Sequence, residues 1–296
     1  MKVLHILASG LGNIIEALSA TEAINSLDNV EQLDVSVKCN WPGIETILPW
    51  NCINLDDKII SNYDVLALSW WTRNLQIPLV TDKESIEIIR PRLNIFEFSE
   101  NDCNMDVAVQ MGFSGTIPIP KLKKIDKKLI DDEYLVLSAG FQKATNYADW
   151  KNKAWPRWKE FAELAKDKGY KLATVGTEDE CEDWHRELID YDLCNKTDLA
   201  ELVSVIQHAK AIVACDNGPA HIGDVCGIPT IALFGPTNIL KNSYFKARIV
   251  FSPSHTVDCR PCQRDIKRMS TCSNNICMKL IEPKQVLSIL ENELEN

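Results

Sequence analysis

The sequence predicts an α/β protein of two domains, each a parallel sheet wrapped by helices, and three observations carry that prediction. Its 296 residues exceed one typical domain of roughly 150 and fall short of three. Short aliphatic runs alternate with longer segments of helical period along most of the chain, the pattern of βαβ units. A proline- and lysine-rich stretch, Thr116 to Lys128, interrupts the alternation. Pro118 and Pro120 forbid a regular helix there and the lysines keep it wet, so residues 116–130 read as a linker.

Taken in order, Val3 to Ala8 is a strand that runs into Ser9-Gly10-Leu11-Gly12. Ile14, Ile15, Leu18, Ala23, Ile24 and Leu27 then recur at helical spacing. Leu33 to Val37 and Tyr63 to Ser69 are strands, Glu84 to Ile89 a short helix and Leu93 to Phe98 a further strand, giving a small first domain over 1–115. The second domain, 131–282, opens with a strand at Tyr134 to Ser138. It continues with helix 158–168, strand 171–175, helices 181–189 and 199–209, strand 211–215, a helix from Gly218 and strand 230–234. Pro283 to Leu294 is a last helix, expected to return to the first domain.

Composition narrows the class. Apolar residues at 45% and charged residues at 25% are globular values. No stretch nears the roughly 20 apolar residues of a membrane span. Residues 1–9 lack the parts of a secretory signal, which points to the cytoplasm. Eleven cysteines, most of them scattered beside apolar neighbours, read as reduced thiols rather than a disulfide framework. The net charge of −10 opposes non-specific attraction to nucleic acid or anionic lipid, so a polyanionic partner needs a local patch such as Lys121 to Lys128 or Arg260 to Arg268.

In parallel sheets ligands gather at the carboxyl ends of strands, which directs attention to the turns after Ser138, Val175, Cys215 and Phe234. Ala211 to Asn238 holds two of them. A buried strand delivers Asp216-Asn217-Gly218 to a helix start, where free N–H groups and the helix dipole favour a phosphate. Asp216 or Asn217 can cap that helix, Gly218 permits close approach of the backbone, and His221 falls in the first turn. A second strand ends in Phe234-Gly235-Pro236-Thr237, a tight turn with a hydroxyl at its lip. Near the C-terminus Cys259, Cys262, Cys272 and Cys277 have the spacing of a structural zinc site.

The run Asp216-Asn217-Gly218-Pro219-Ala220-His221, followed by Gly227-Ile228-Pro229 and Leu233-Phe234-Gly235-Pro236-Thr237, resembles the donor-site signature of glycosyltransferase family 9, the heptosyltransferases of lipopolysaccharide core assembly. Lys153-Ala154-Trp155-Pro156 is similar to the family's Lys-x-Trp-Pro, whose lysine reaches the donor phosphates. Lys153 itself reads as an exposed lysine, replaceable without unfolding. Gly176-Thr177-Glu178-Asp179-Glu180 resembles the family's Gly-x-Glu-x-Glu turn, which assigns the donor nucleoside to Glu180. The Cys-x-Pro-Cys and Cys277-Met278 are family-like too, so membership by itself also accounts for the thiols.

The resemblance implies GT-B architecture, two Rossmann-like domains facing a cleft. It also implies an inverting transfer from an ADP- or UDP-type sugar nucleotide to a carbohydrate or glycoconjugate hydroxyl, with no cofactor for catalysis. One departure stands out. The family's basic aspartate aligns with Asn13, whose amide cannot take a proton. Glu16, three residues on along the same helical face, is the expected base, with Asn13 orienting the acceptor and Asp64 or Glu97 next in line. Trp41, Trp50, Trp70 and Trp71 line either a sugar platform or the core. Residues 29–115 carry no family motif, so three other readings stay open: a transferase acting on modified DNA or protein, an inactive sugar-nucleotide binder, and a zinc-stabilised nucleic-acid module. A peripheral position at the inner face of the membrane is compatible with the first reading.

Overall fold

The computed structural model describes residues 1–38, 41–55, 60–76, 86–95, 97–140, 150–177, 185–242, 244–251, 257–263 and 265–295. They form two compact units. Met1–Lys123 with Lys241–Ser243 make the first, and Lys124–Leu240 with Tyr244–Asn296 the second.

The first unit holds β1 (Lys2–Ala8), α1 (Leu11–Asn25), β2 (Gln32–Lys38), α2 (Ile44–Ile47), β3 (Asn51–Cys52), β4 (Val65–Leu68), β5 (Glu87–Ile89) and α3 (Glu100–Gln110). Its sheet runs β3-β2-β1-β4-β5, with Val3 opposite both Leu33 and Val65 in parallel register. Val3 packs with Ala20 and Ile24 of α1 on one face, and Leu4 and Ile6 with Tyr63 and Leu66 on the other. Burial on both faces is why these strands read as continuous apolar runs.

Two expectations fail in this unit. Of the helix expected at Glu84 to Ile89, residues 84 and 85 lie outside the described residues and 87–89 are strand β5, paired to β4, since the closely spaced isoleucines 86, 88 and 89 suit a pleated strand better than one helical turn. The strand expected at 93–98 is a turn, closed by N–H donation from Glu97 and Phe98 to the Asn94 carbonyl. It feeds α3, whose start is fixed by a reciprocal capping box between Ser99 and Asp102.

The second unit contains β6 (Tyr134–Ser138), α4 (Trp158–Asp167), β7 (Lys171–Thr174), α5 (His185–Leu188), β8 (Tyr191–Asp192), α6 (Leu199–Gln207), β9 (Ala211–Cys215), α7 (Gly218–Cys226), β10 (Thr230–Phe234), β11 (Arg248–Phe251), α8 (Ile266–Thr271), α9 (Ile276–Lys279) and α10 (Pro283–Glu295). All strands are parallel, in the order β11-β10-β9-β6-β7-β8. The chain fills one side of β6 and then the other, so the strand order reverses between β6 and β9. A crevice opens at the carboxyl ends of such a pair.

The last helix belongs to this unit. Val286, Leu287 and Leu290 lie in one core with Trp158 and Phe161 of α4, because the apolar stripe of α10 matches that of α4 at helical spacing. The helix expected to return to the first domain thus clusters with the second unit. Cys194 is disulfide-bonded, which corrects the reading of uniformly reduced thiols. Residues 116–130 form neither helix nor strand.

Candidate functional site

The carboxyl ends of β6 and β9 are tied together by one side chain. Asn217 caps α7 by accepting from Ala220 N–H at 3.2 Å, and its amide donates to Ser138 Oγ at 3.0 Å and to the Gly140 carbonyl at 2.9 Å. The cap that the sequence left open between Asp216 and Asn217 is therefore Asn217. Pro219 follows Gly218 in the first turn, where its missing N–H costs nothing.

Asp216 is released for another task. Its carboxylate, 3% exposed, receives the Lys153 ammonium at 2.9 Å, and the same ammonium donates to the Asp216 carbonyl at 2.8 Å. Burial is the largest influence and pushes the Asp216 carboxyl up, but the Lys153 and His221 charges, the hydrogen bond from Lys153 and the neighbouring Thr237 hydroxyl together outweigh it and hold the group below the ordinary carboxylate value. His221 sits alongside, buried, its imidazole pushed down to about 4 mainly by desolvation, with Asp216 pulling it up and Lys153 adding to the fall. At neutral pH this imidazole is uncharged. Asp216 thus fixes the Lys153 ammonium beside the first turn of α7, a charge arrangement suited to a diphosphate.

Thr237 is buried beside this pair. Gly235, the other expected contact in that turn, has a packing reason to be glycine. A Cβ there would come within 2.4 Å of Met278 Sδ and 3.0 Å of Cys277 Sγ. Glu180 lies outside the described residues.

The cysteine-rich segment braces both site loops, a role the sequence did not disclose. Cys262 N–H and Gln263 N–H donate to the Pro236 carbonyl at 3.0 and 3.1 Å, and Gln263 Oε1 accepts from Asn238 N–H at 2.9 Å. On the other loop, Asn275 donates to the Ala154 carbonyl at 2.9 Å and Trp155 Nε1 to the Ile281 carbonyl at 3.1 Å. Cys259, Cys262 and Cys272 raise the Cys277 thiol to about 11, after burial as the first cause. Four thiols and no carboxylate are a donor set that suits zinc. As placed, however, no group of three or more His, Cys, Asp or Glu among the described residues could hold a metal ion.

In the first unit, the turn between β1 and α1 carries its positive φ on Ser9 (94°) and not on a glycine. Asn13 donates to Ser9 Oγ at 2.9 Å, and Trp41 Nε1 to the Ser9 carbonyl at 3.3 Å. Glu16 is buried at 2% exposure. Asp64 is removed as a candidate base. Its carboxylate accepts from Lys2 N–H at 2.8 Å, at the amino ends of β1 and β4 and so on the sheet edge opposite Ser9. Glu97 is exposed in the turn before α3. Of the tryptophans, Trp70 is core, Trp50 packs against the core, and Trp41 and Trp71 are exposed. No helix among the described residues is long and apolar enough to cross a membrane.

The family model for glycosyltransferase family 9 (heptosyltransferase) matches residues 121–272. Lipooligosaccharide heptosyltransferase 2 of Campylobacter jejuni is 30% identical over 107 residues, which is 36% of this chain and 32% of its own length. The chain therefore matches about a third of that relative. Among solved structures, the ADP-heptose lipopolysaccharide heptosyltransferase II of E. coli superposes with a TM-score of 0.71 at 16% identity, over 100% of this chain and 99% of that one. The iron-containing dodecameric glycosyltransferase TibC of enterotoxigenic E. coli does so at 0.73 and 15%, over 100% and 79%. At these identities the likeness establishes the fold, which is GT-B.

Proposed function

The chain belongs to glycosyltransferase family 9, and from that premise we propose that it is an inverting, heptosyltransferase-like transferase that moves a sugar from a nucleoside-diphosphate donor to a carbohydrate-type hydroxyl. The observation that carries this reading is the Lys153–Asp216 pair at the start of α7, on the switch point between β6 and β9. Two of the three ammonium N–H groups are taken by Asp216, which leaves the third for a phosphate oxygen. The α7 amide groups, neutral His221 and Thr237 surround the same point, and Glu180 is assigned to the nucleoside. An ADP-type donor is favoured over UDP because a structural relative's name specifies ADP-heptose.

In the step itself, an oxygen lone pair of the acceptor attacks the anomeric carbon and the bond to the diphosphate breaks, the leaving oxygen keeping the electron pair. The acceptor proton passes to Glu16, and Asn13 orients the hydroxyl. Lys153 and the helix terminus stabilise the departing charge, usually the largest contribution to such a transfer. No metal takes part in this scheme. A zinc held by Cys259, Cys262, Cys272 and Cys277 belongs to it only as a cross-link on the segment that braces the two loops. A cytoplasmic location, at the membrane face where a lipopolysaccharide-type acceptor is presented, completes the proposal. The family match supports this reading over the nucleic-acid module.

The test is a thermal-shift panel of nucleoside diphosphates and sugar nucleotides. A ligand at a hundred times its dissociation constant stabilises the native state by about 2.7 kcal/mol, so ADP at millimolar concentration should raise the Tm by several degrees. No shift with ADP, UDP or their sugar derivatives would remove the donor site.

A further inference from the structure

We propose that Tyr244 is a positioning residue of the donor site, acting through His221 and Asp216 and held over them by Asp224; this rests on the donor-site reading above and deepens it. The Tyr244 and His221 rings are stacked, 4.2 Å between centroids and 15° from parallel. The tyrosine hydroxyl donates to Asp216 Oδ1 at 3.2 Å, and Phe234, at the end of β10, meets the phenol ring edge-on at 5.8 Å. One side chain thus touches the imidazole, the carboxylate that fixes Lys153, and the strand end before the Gly235 turn.

What keeps Tyr244 there is a buried carboxylate on α7. Asp224, 1% exposed, accepts three backbone N–H groups from the residues that follow the tyrosine: Phe245 at 2.6 Å, Lys246 at 2.7 Å and Ala247 at 2.6 Å. His221 and Asp224 are three residues apart and lie on one face of the helix. The same helix therefore carries both the imidazole that is covered and the anchor of the segment that covers it, which sets the register between Tyr244 and His221.

The arrangement bears directly on phosphate binding. A diphosphate brings negative charge beside a buried carboxylate that already shares the Lys153 ammonium. With Tyr244 donating to Oδ1, Asp216 keeps a partner that does not depend on lysine, and the ammonium can turn its remaining N–H to the ligand. Without that hydroxyl, Asp216 loses one of its donors other than lysine and holds the Lys153 ammonium more tightly against the pull of phosphate. The ring has a separate effect, excluding water from His221 and keeping it neutral beside the helix start. The charged groups facing the imidazole are Asp216 and Lys153, with opposite influences.

The experiment compares the full chain with Tyr244→Phe and Tyr244→Ala, reading ADP affinity by calorimetry and the His221 titration by NMR in the ligand-free protein. Tyr244→Phe keeps the stack and the contact with Phe234, so it should fold normally. It should weaken ADP about threefold to tenfold, with the His221 titration near its wild-type position. Tyr244→Ala should weaken ADP more than tenfold and move the His221 titration up toward 6.5. Wild-type ADP affinity in Tyr244→Phe overturns the proposal while leaving the donor site standing. A wild type that binds neither ADP nor UDP overturns the donor-site reading and this proposal together.

Discussion

Lys153 changes character between sequence and structure. As a lysine in a basic loop it reads as replaceable, yet it is only 16% exposed and paired with a carboxylate at 3%. Removing one member of a buried pair leaves the other charge uncompensated, at a cost of about 3–5 kcal/mol. Lys153→Met should therefore lower the Tm as well as abolish ADP protection, and Lys153→Met with Asp216→Asn should recover much of the stability without recovering ADP binding. The base is tested separately. Glu16→Gln is nearly isosteric, so it should leave the fold and the donor KM unchanged while cutting kcat by about 10² to 10⁴. Full turnover in that variant would move the base elsewhere in the first unit. The residues of the proposed donor site were legible as a pattern because a phosphate needs a helix start, a cation and small turns, which the sequence displays in order. Tyr244 and Asp224 were not legible, since nothing local distinguishes a tyrosine on a loop, or an acid late in a helix, until the fold brings them to His221.

Among the elements, the short cysteine-rich segment with α8 and α9 does the most for its size. It bonds to the Pro236 carbonyl on one site loop and the Ala154 carbonyl on the other, and Met278 fills the space left by Gly235. If zinc joins its four thiols, purified protein should carry about one equivalent by mass spectrometry, and Cys262→Ser should carry none. Loss of the metal should lower the Tm and weaken ADP binding, because the brace on both loops loosens. A metal-free protein with full stability would leave hydrogen bonding and packing as the whole of the brace. Central elements were read from sequence almost to the residue: β6, β9 and β10 match their expected bounds, being long apolar runs buried on both faces. The edge strands β3, β8 and β11 were missed: β3 and β8 have two residues each, too short a run to show a period, and β11 opens on a charged arginine. The segment 84–98 was misread because its isoleucines fit either period and only pairing with β4 decides.

At the scale of the molecule, each unit buries a neutral histidine beneath its sheet chemistry, and acid should find both. His5 in β1 is wholly buried against Thr21 Oγ1 at 2.8 Å, its imidazole pushed down to about 3 by desolvation. His221 is pushed down to about 4 in the second unit. Both folded values lie below the unfolded 6.5, so between those limits the unfolded chain binds more protons and stability rises with pH. The stabilisation is fully present above 6.5 and is lost as pH falls toward 4. At pH 5 the deficit is about 2 kcal/mol for each histidine, at 1.36 kcal/mol per pH unit. Asp216, with its lowered carboxyl, adds a further loss at still lower pH, whereas Asp224, raised by burial, works in the opposite sense. Thermal denaturation from pH 7.5 to 4.5 should therefore show the Tm falling by several degrees below pH 6.5. His5→Asn, which cannot take the proton, should be less stable at pH 7.5 but lose about half of that slope. His221→Asn should flatten the remainder. If both variants keep the wild-type slope, the acid sensitivity belongs to the carboxylates, and the two histidines are not buried neutral in solution.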